Sequence, residues 1–190
     1  MPPTTLRRVS WAELLAHPEV VERSVLAGPI GVMAFHGGLE AATAEIAIAA
    51  AAASGASLYV VSQPEALRWH VPSHAVDPAG SPALAEWLSH VELAVAVHGY
   101  GRAGRPRRVL LGGRARAAAE VLRLHLSARL PGITLVTDLD DMPAELRGLH
   151  PDNPVNRPAG GGVQVELPPG VRDRRLSPGA SHRVALGLAS

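Results

Sequence analysis

Cysteine is absent from the 190 residues, which excludes disulfides and thiolate chemistry. Any zinc site must therefore draw on histidine and carboxylates. Lysine is absent too, and all 18 basic side chains are arginine. With abundant Ala, Gly and Pro, that bias reads as the mark of a GC-rich coding sequence. Aromatic residues make up only 3%, so the core must rest on Val, Leu, Ile and Ala. A net charge of +1 gives no global drive towards nucleic acid or a membrane surface, and neither is expected as a partner. Long apolar runs are missing as well. The Ala-rich stretch 46–53 is too short to span a bilayer. The first eight residues carry no apolar segment behind Arg7 and Arg8, so no secretory signal is seen and a cytoplasmic location is expected.

What is present suits one domain over residues 1–190, long enough to bury a real core. Ser10 with Glu13 three residues on reads as a capping box opening a short helix. Ile30–Phe35 is an apolar run suited to a buried strand. From Glu40 to Ala53 the residues are strong helix formers, closed by Ser54-Gly55. Ser57–Ser62 is a second strand, and this β-α-β order predicts a parallel pair. A short helix is expected over 82–90 and a third strand over 91–97. Arg108–Gly113 reads as a fourth strand, Arg114–Leu130 as an amphipathic helix, Ile133–Thr137 as a fifth strand and Val163–Leu167 as a last one. A terminal Ala-rich helix completes an α/β pattern with an open, mixed, mostly parallel sheet flanked by helices.

Two of these strands end in His-Gly, at His36-Gly37 and at His98-Gly99. In a mostly parallel sheet both ends lie on one edge, where α/β folds place their chemistry. With Glu40 the two histidines make a His₂Glu set, a known catalytic zinc shell that leaves a position for water. Glu166 is the one acidic residue inside the last strand. By period-two alternation it shares a face with Gln164 and opposes Val165 and Leu167. On the histidine edge it would serve as a general base. Asn156-Arg157 offers a planar donor pair for a substrate carboxylate, or alternatively pins its own loop. Arg102, Arg105, Arg107, Arg108, Arg114 and Arg116 crowd one stretch, either as a solvated loop or as a surface for a polyanion.

Six short motifs, in order, resemble those of the poly-γ-glutamate hydrolase family. They are His36-Gly37-Gly38-Leu39-Glu40 with Thr43-Ala44-Glu45, Trp69-His70-Val71-Pro72-Ser73, His98-Gly99-Tyr100, Leu111-Gly112-Gly113, Asn153-Pro154-Val155-Asn156-Arg157 and Gly162-Val163-Gln164-Val165-Glu166-Leu167. The resemblance runs from about Gly31 to Arg172. It implies a fold related to the zinc carboxypeptidases, with one zinc ion held by His36, Glu40 and His98 and with Glu166 as general base. His70 matches a histidine of the family pattern and is expected either to support a metal ligand or to meet substrate, and Tyr100 joins Asn156 and Arg157 as an expected substrate contact. One departure stands out. The family form has two residues between the second Gly and the Glu, and here there is only Leu39, so Glu40 and Glu45 compete for the third ligand position.

The activity so implied is zinc-dependent hydrolysis of γ-glutamyl amide bonds in a small or polyanionic substrate. Three alternatives share the same residues. One is the same chemistry on another amide, such as a peptidoglycan fragment or an N-acyl amino acid. Another is a non-catalytic metal or carboxylate binder. The third is a non-haem iron oxygenase, since two histidines and a carboxylate also suit Fe(II).

Overall fold

The computed structural model describes residues 6–101, 107–172 and 179–189. In chain order the elements are β1 (Arg7–Arg8), α1 (Trp11–Leu15), β2 (Val21–Val25), β3 (Ile30–Gly37), α2 (Thr43–Ser54), β4 (Ser57–Ser62), β5 (Trp69–His70), α3 (Pro82–His90) and β6 (Leu93–Gly99). They continue with β7 (Arg108–Gly112), α4 (Arg116–Arg129), β8 (Thr134–Val136), β9 (Gly162–Leu167), α5 (Pro169–Arg172) and α6 (Ala180–Leu188). Seven strands form one sheet in the order β2-β4-β3-β6-β9-β7-β8. Pairings β3–β4, β3–β6, β6–β9 and β7–β8 are parallel, whereas β2–β4 and β7–β9 are antiparallel. The mixed, mostly parallel α/β architecture expected from the sequence is thus observed. No described helix is long and apolar enough to cross a membrane.

Alternation along the strands divides the core. Val32, Ala34, Leu58, Val60, Val95, Val97, Val163 and Val165 face one layer, with α2, α4 and α6 packed on it. Met33, Phe35, Tyr59, Val61, Ala94 and Ala96 face the other, with Trp11 of α1 and Trp87 of α3. Four of the six aromatic residues lie in this second cluster, and its large side chains compensate for small ones such as Ala94 and Ala96.

Two stretches differ from the sequence reading. The α2 helix begins at Thr43, not at Glu40, because residues 36–42 form a separate turn: Glu40 N–H donates to the His36 carbonyl at 2.9 Å, and Ala42 takes a left-handed φ of 64°. The strand β2 has no counterpart among the elements expected from the sequence. Its exposed, polar-rich sequence carries little strand signal, and it forms at the sheet edge by pairing with β4. A second small ladder joins β1 to β5 in parallel, Arg7 beside Trp69 and Arg8 beside His70.

Candidate active site

The parallel strands β3, β6 and β9 end on one edge of the sheet. His98 and Glu166 are register partners on adjacent strands, so their side chains stand side by side. They fall on the face of Ala94 and Ala96. Strict alternation from Val32 and Ala34 would send His36 to the opposite face. The register of β3 shifts between Ala34 and Gly37, and that irregularity turns His36 to the side of His98. The two imidazole rings then lie 5.1 Å apart, centroid to centroid, with Phe35 against both.

Glu40 reaches back from its turn to join them. Its Oε1 is 3.0 Å from His36 Nδ1, and its Oε2 is 3.7 Å from His98 Nδ1 and accepts a hydrogen bond from Gly99 N–H at 2.8 Å. The tight turn depends on Gly38, which has φ of +78° and would carry a Cβ 1.7 Å from the Gln63 carbonyl oxygen. Gly99 is constrained more softly, since a Cβ there would meet the Arg172 side chain, with Nε at 2.4 Å. Arg172 in turn donates to the carbonyls of Ala41 and Leu167, tying the Glu40 turn to the end of β9. Glu45, the competing carboxylate, is exposed on α2 and does not join the histidines.

His36, Glu40 and His98 offer ligand atoms that all lie within 4.8 Å of one another. Their chemistry fits a cation. His36 Nε2 is 2.8 Å from the Val71 carbonyl, which only accepts, so the proton sits on Nε2 and Nδ1 presents a lone pair to Glu40. In the neutral imidazole these are two acceptors 3.0 Å apart, and either a proton on Nδ1 or a metal cation joins them. His98 Nε2 is buried without a hydrogen-bond partner. Burial works against charge on His36 and Glu40, but their mutual attraction outweighs it, raising the His36 pKa and lowering that of Glu40. Burial pushes His98 down to about 4 and keeps its imidazole neutral, the form that ligates metal.

Glu166 is 4% exposed. Gln164 donates to its Oε1 at 2.8 Å, and Asn153 in turn donates to Gln164 at 2.7 Å. Burial first, and then the negative charge of Glu40, pushes the Glu166 carboxyl up to about 8. All four side chains open onto a cleft of about 760 Å³. His70, His74 and the 144–150 segment also line it. The His70 ring is 5.1 Å from that of His36, and burial followed by that neighbour lowers its pKa.

The other expected substrate contacts lie elsewhere. Asn156 does not line the cleft: its amide donates to the carbonyls of Gly148 and His150 and its oxygen accepts from Arg114 N–H, so it pins the loop. Arg157 is also outside the lining, 3.7 Å from Asp152. Tyr100 packs with Leu110, Val136 and Met142 and donates its hydroxyl to the Arg108 carbonyl at 2.5 Å. Of the crowded arginines, Arg102 and Arg105 lie outside the described residues. Arg107 and Arg116 donate to backbone carbonyls, and none of the four described ones lines the cleft. Conversely, Arg8, His74, Arg147 and His150 do line it, and no motif in the sequence had marked them.

A largely buried His-Glu-His group beside a second carboxyl, at the carboxyl ends of parallel strands, defines an α/β enzyme with its chemistry on the sheet edge. The family model for poly-γ-glutamate hydrolase matches residues 10–181, and the chain belongs to that family of enzymes acting on amide bonds. Two solved structures share the fold. A bacteriophage poly-γ-glutamate hydrolase is 24% identical with a TM-score of 0.69, over 90% of this chain and 86% of its own. A zinc-free form of the protein YNDL is also 24% identical, with a TM-score of 0.67 over 81% of this chain and 74% of its own. No curated protein matches the chain.

Proposed function

We propose that this protein hydrolyses γ-glutamyl amide bonds of poly-γ-glutamate, with a zinc ion held by His36, Glu40 and His98. The observation that carries the reading is the meeting of those three side chains next to Glu166 in an open cleft. A donor set of two imidazoles and a carboxylate, without thiolate, matches the His₂Glu shell of catalytic zinc, and a zinc ion there supplies Lewis-acid chemistry for amide hydrolysis. The Val71 carbonyl fixes the His36 tautomer, and Gly99 N–H fixes one oxygen of Glu40. Glu166 acts as the general base. Gln164 occupies its Oε1, which leaves Oε2 to take the proton from the attacking water and deliver it to the leaving amine nitrogen. A carboxyl raised towards neutrality is suited to both transfers, because it gains and loses a proton near working pH.

The direct test is release of glutamate oligomers from poly-γ-glutamate, with metal content measured on the same preparation. Turnover that disappears on chelation and returns with zinc is the expected result. A zinc-loaded protein that cleaves no γ-linked polymer would overturn the proposal and favour a binding role.

A further inference from the structure

We propose that Arg8 selects the substrate of this cleft by taking the α-carboxylate of a γ-linked glutamyl residue. The inference rests on the hydrolase reading above and adds to it the group that recognises the substrate's charge. Neighbouring residues of a strand point to opposite faces. Arg7 uses its face to lay its guanidinium 4.8 Å over the Trp69 ring. Arg8 takes the other face and lines the cleft beside His70, its register partner. His70 stands next to His36, so Arg8 is one interstrand spacing, about 4.8 Å, beyond a side chain that abuts the metal-ligand group. Among the described residues, no hydrogen bond or ion pair holds its guanidinium.

Charge within the cleft makes such a group necessary. Three carboxyl groups, of Glu40, Glu145 and Glu166, line it, and a polyanion entering beside them needs a cationic partner. Two arginines of the lining oppose them, Arg8 and Arg147. Arg147 is already tethered, with Nε donating to the Met142 carbonyl at 3.2 Å and Nη2 3.8 Å from Asp140. Arg8 is therefore the better placed to receive a ligand. In a γ-linked chain the α-carboxylate branches off beside the scissile amide, on the residue that supplies the leaving nitrogen. A pair of methylenes separates it from the carbonyl on the other side. An α-peptide carries such a group only at its C-terminal residue. A guanidinium fork matches a carboxylate in shape as well as in charge.

The test compares two oligomers of γ-linked glutamate, one with free α-carboxylates and one with every α-carboxyl converted to a carboxamide. Wild-type protein is expected to prefer the free acid in kcat/KM. Arg8→Ala should shrink that preference by about tenfold or more, the scale of one charge-assisted hydrogen bond, mostly through KM. Arg8→Lys should recover part of it as a point charge. Arg23→Ala, which removes the same charge from the distant edge strand β2, should leave the ratio at its wild-type value. Thermal melts check that each variant is folded, and Arg8→Gln replaces Arg8→Ala if that one is not. A preference undiminished in the folded Arg8 variants, or a wild type indifferent to the α-carboxyl, would overturn the inference and leave the hydrolase reading intact. A wild type that cleaves neither oligomer would overturn both.

Discussion

The cleft has two unlike walls. One is the sheet edge, where His36, His98 and Glu166 are each no more than 4% exposed. The other is made of loops and a two-residue strand, where the His150 side chain is 52% exposed and that of Arg147 31%. The first wall is fixed by parallel ladders and a glycine turn, the second by side-chain amides reaching across a loop. Groups that must hold a cation and move a proton need fixed distances. Groups that recognise a long, flexible polymer can sit on surfaces that adjust. Under the proposed function, the difference between the walls separates chemistry from recognition.

Damage to the sheet-edge wall should have the largest effect. His98→Ala removes a proposed ligand from the middle of the sheet. Elemental analysis should find less than one-tenth of the wild-type metal, and poly-γ-glutamate turnover should fall below detection. Near-normal metal content would place the site elsewhere. Next comes Glu166→Gln, which keeps the shape and the neighbour Gln164 but cannot accept a proton. We expect metal content to be unchanged and kcat to drop by about 10²- to 10⁴-fold, the usual contribution of a positioned base. A variant with wild-type kcat would remove Glu166 from the mechanism. The loop wall should respond more mildly. Asn156→Ala deletes the contacts of the 148–150 segment with Arg114, which should cost about 1–3 kcal/mol in denaturant unfolding and raise KM more than it lowers kcat. If kcat fell as steeply as in the Glu166 variant, the division between the walls would fail.

The same division explains what could be read from the sequence. The sheet-edge residues announce themselves locally, as His-Gly at the ends of apolar runs and as an acid alternating with Gln164. The strand and helix order followed from the same periodicity. What turned His36 to its partner is a register shift, and no local pattern encodes that. Glu40 looked like the first residue of a helix because its neighbours are good helix formers. The turn that frees it rests on a hydrogen bond to His36 and on an unusual φ at Ala42. The loop wall was ambiguous for a different reason. Asn-Pro-Val-Asn-Arg suits a carboxylate site and loop pinning alike, because Asn side chains serve backbone turns equally well. Arg8 and His70 are 62 positions apart in the chain, and only the β1–β5 ladder brings them together.

Gly38 has a consequence for anyone wishing to redesign this enzyme. Its positive φ and the Gln63 carbonyl 1.7 Å from any added Cβ leave no side chain that fits. Random libraries that include this position will spend most of their members on unfolded or metal-free protein. Libraries drawn instead from Arg8, His74, Arg147 and His150 sample the rim while the floor stays cast, so altered polymer preference can be sought without re-solving the catalytic geometry each time.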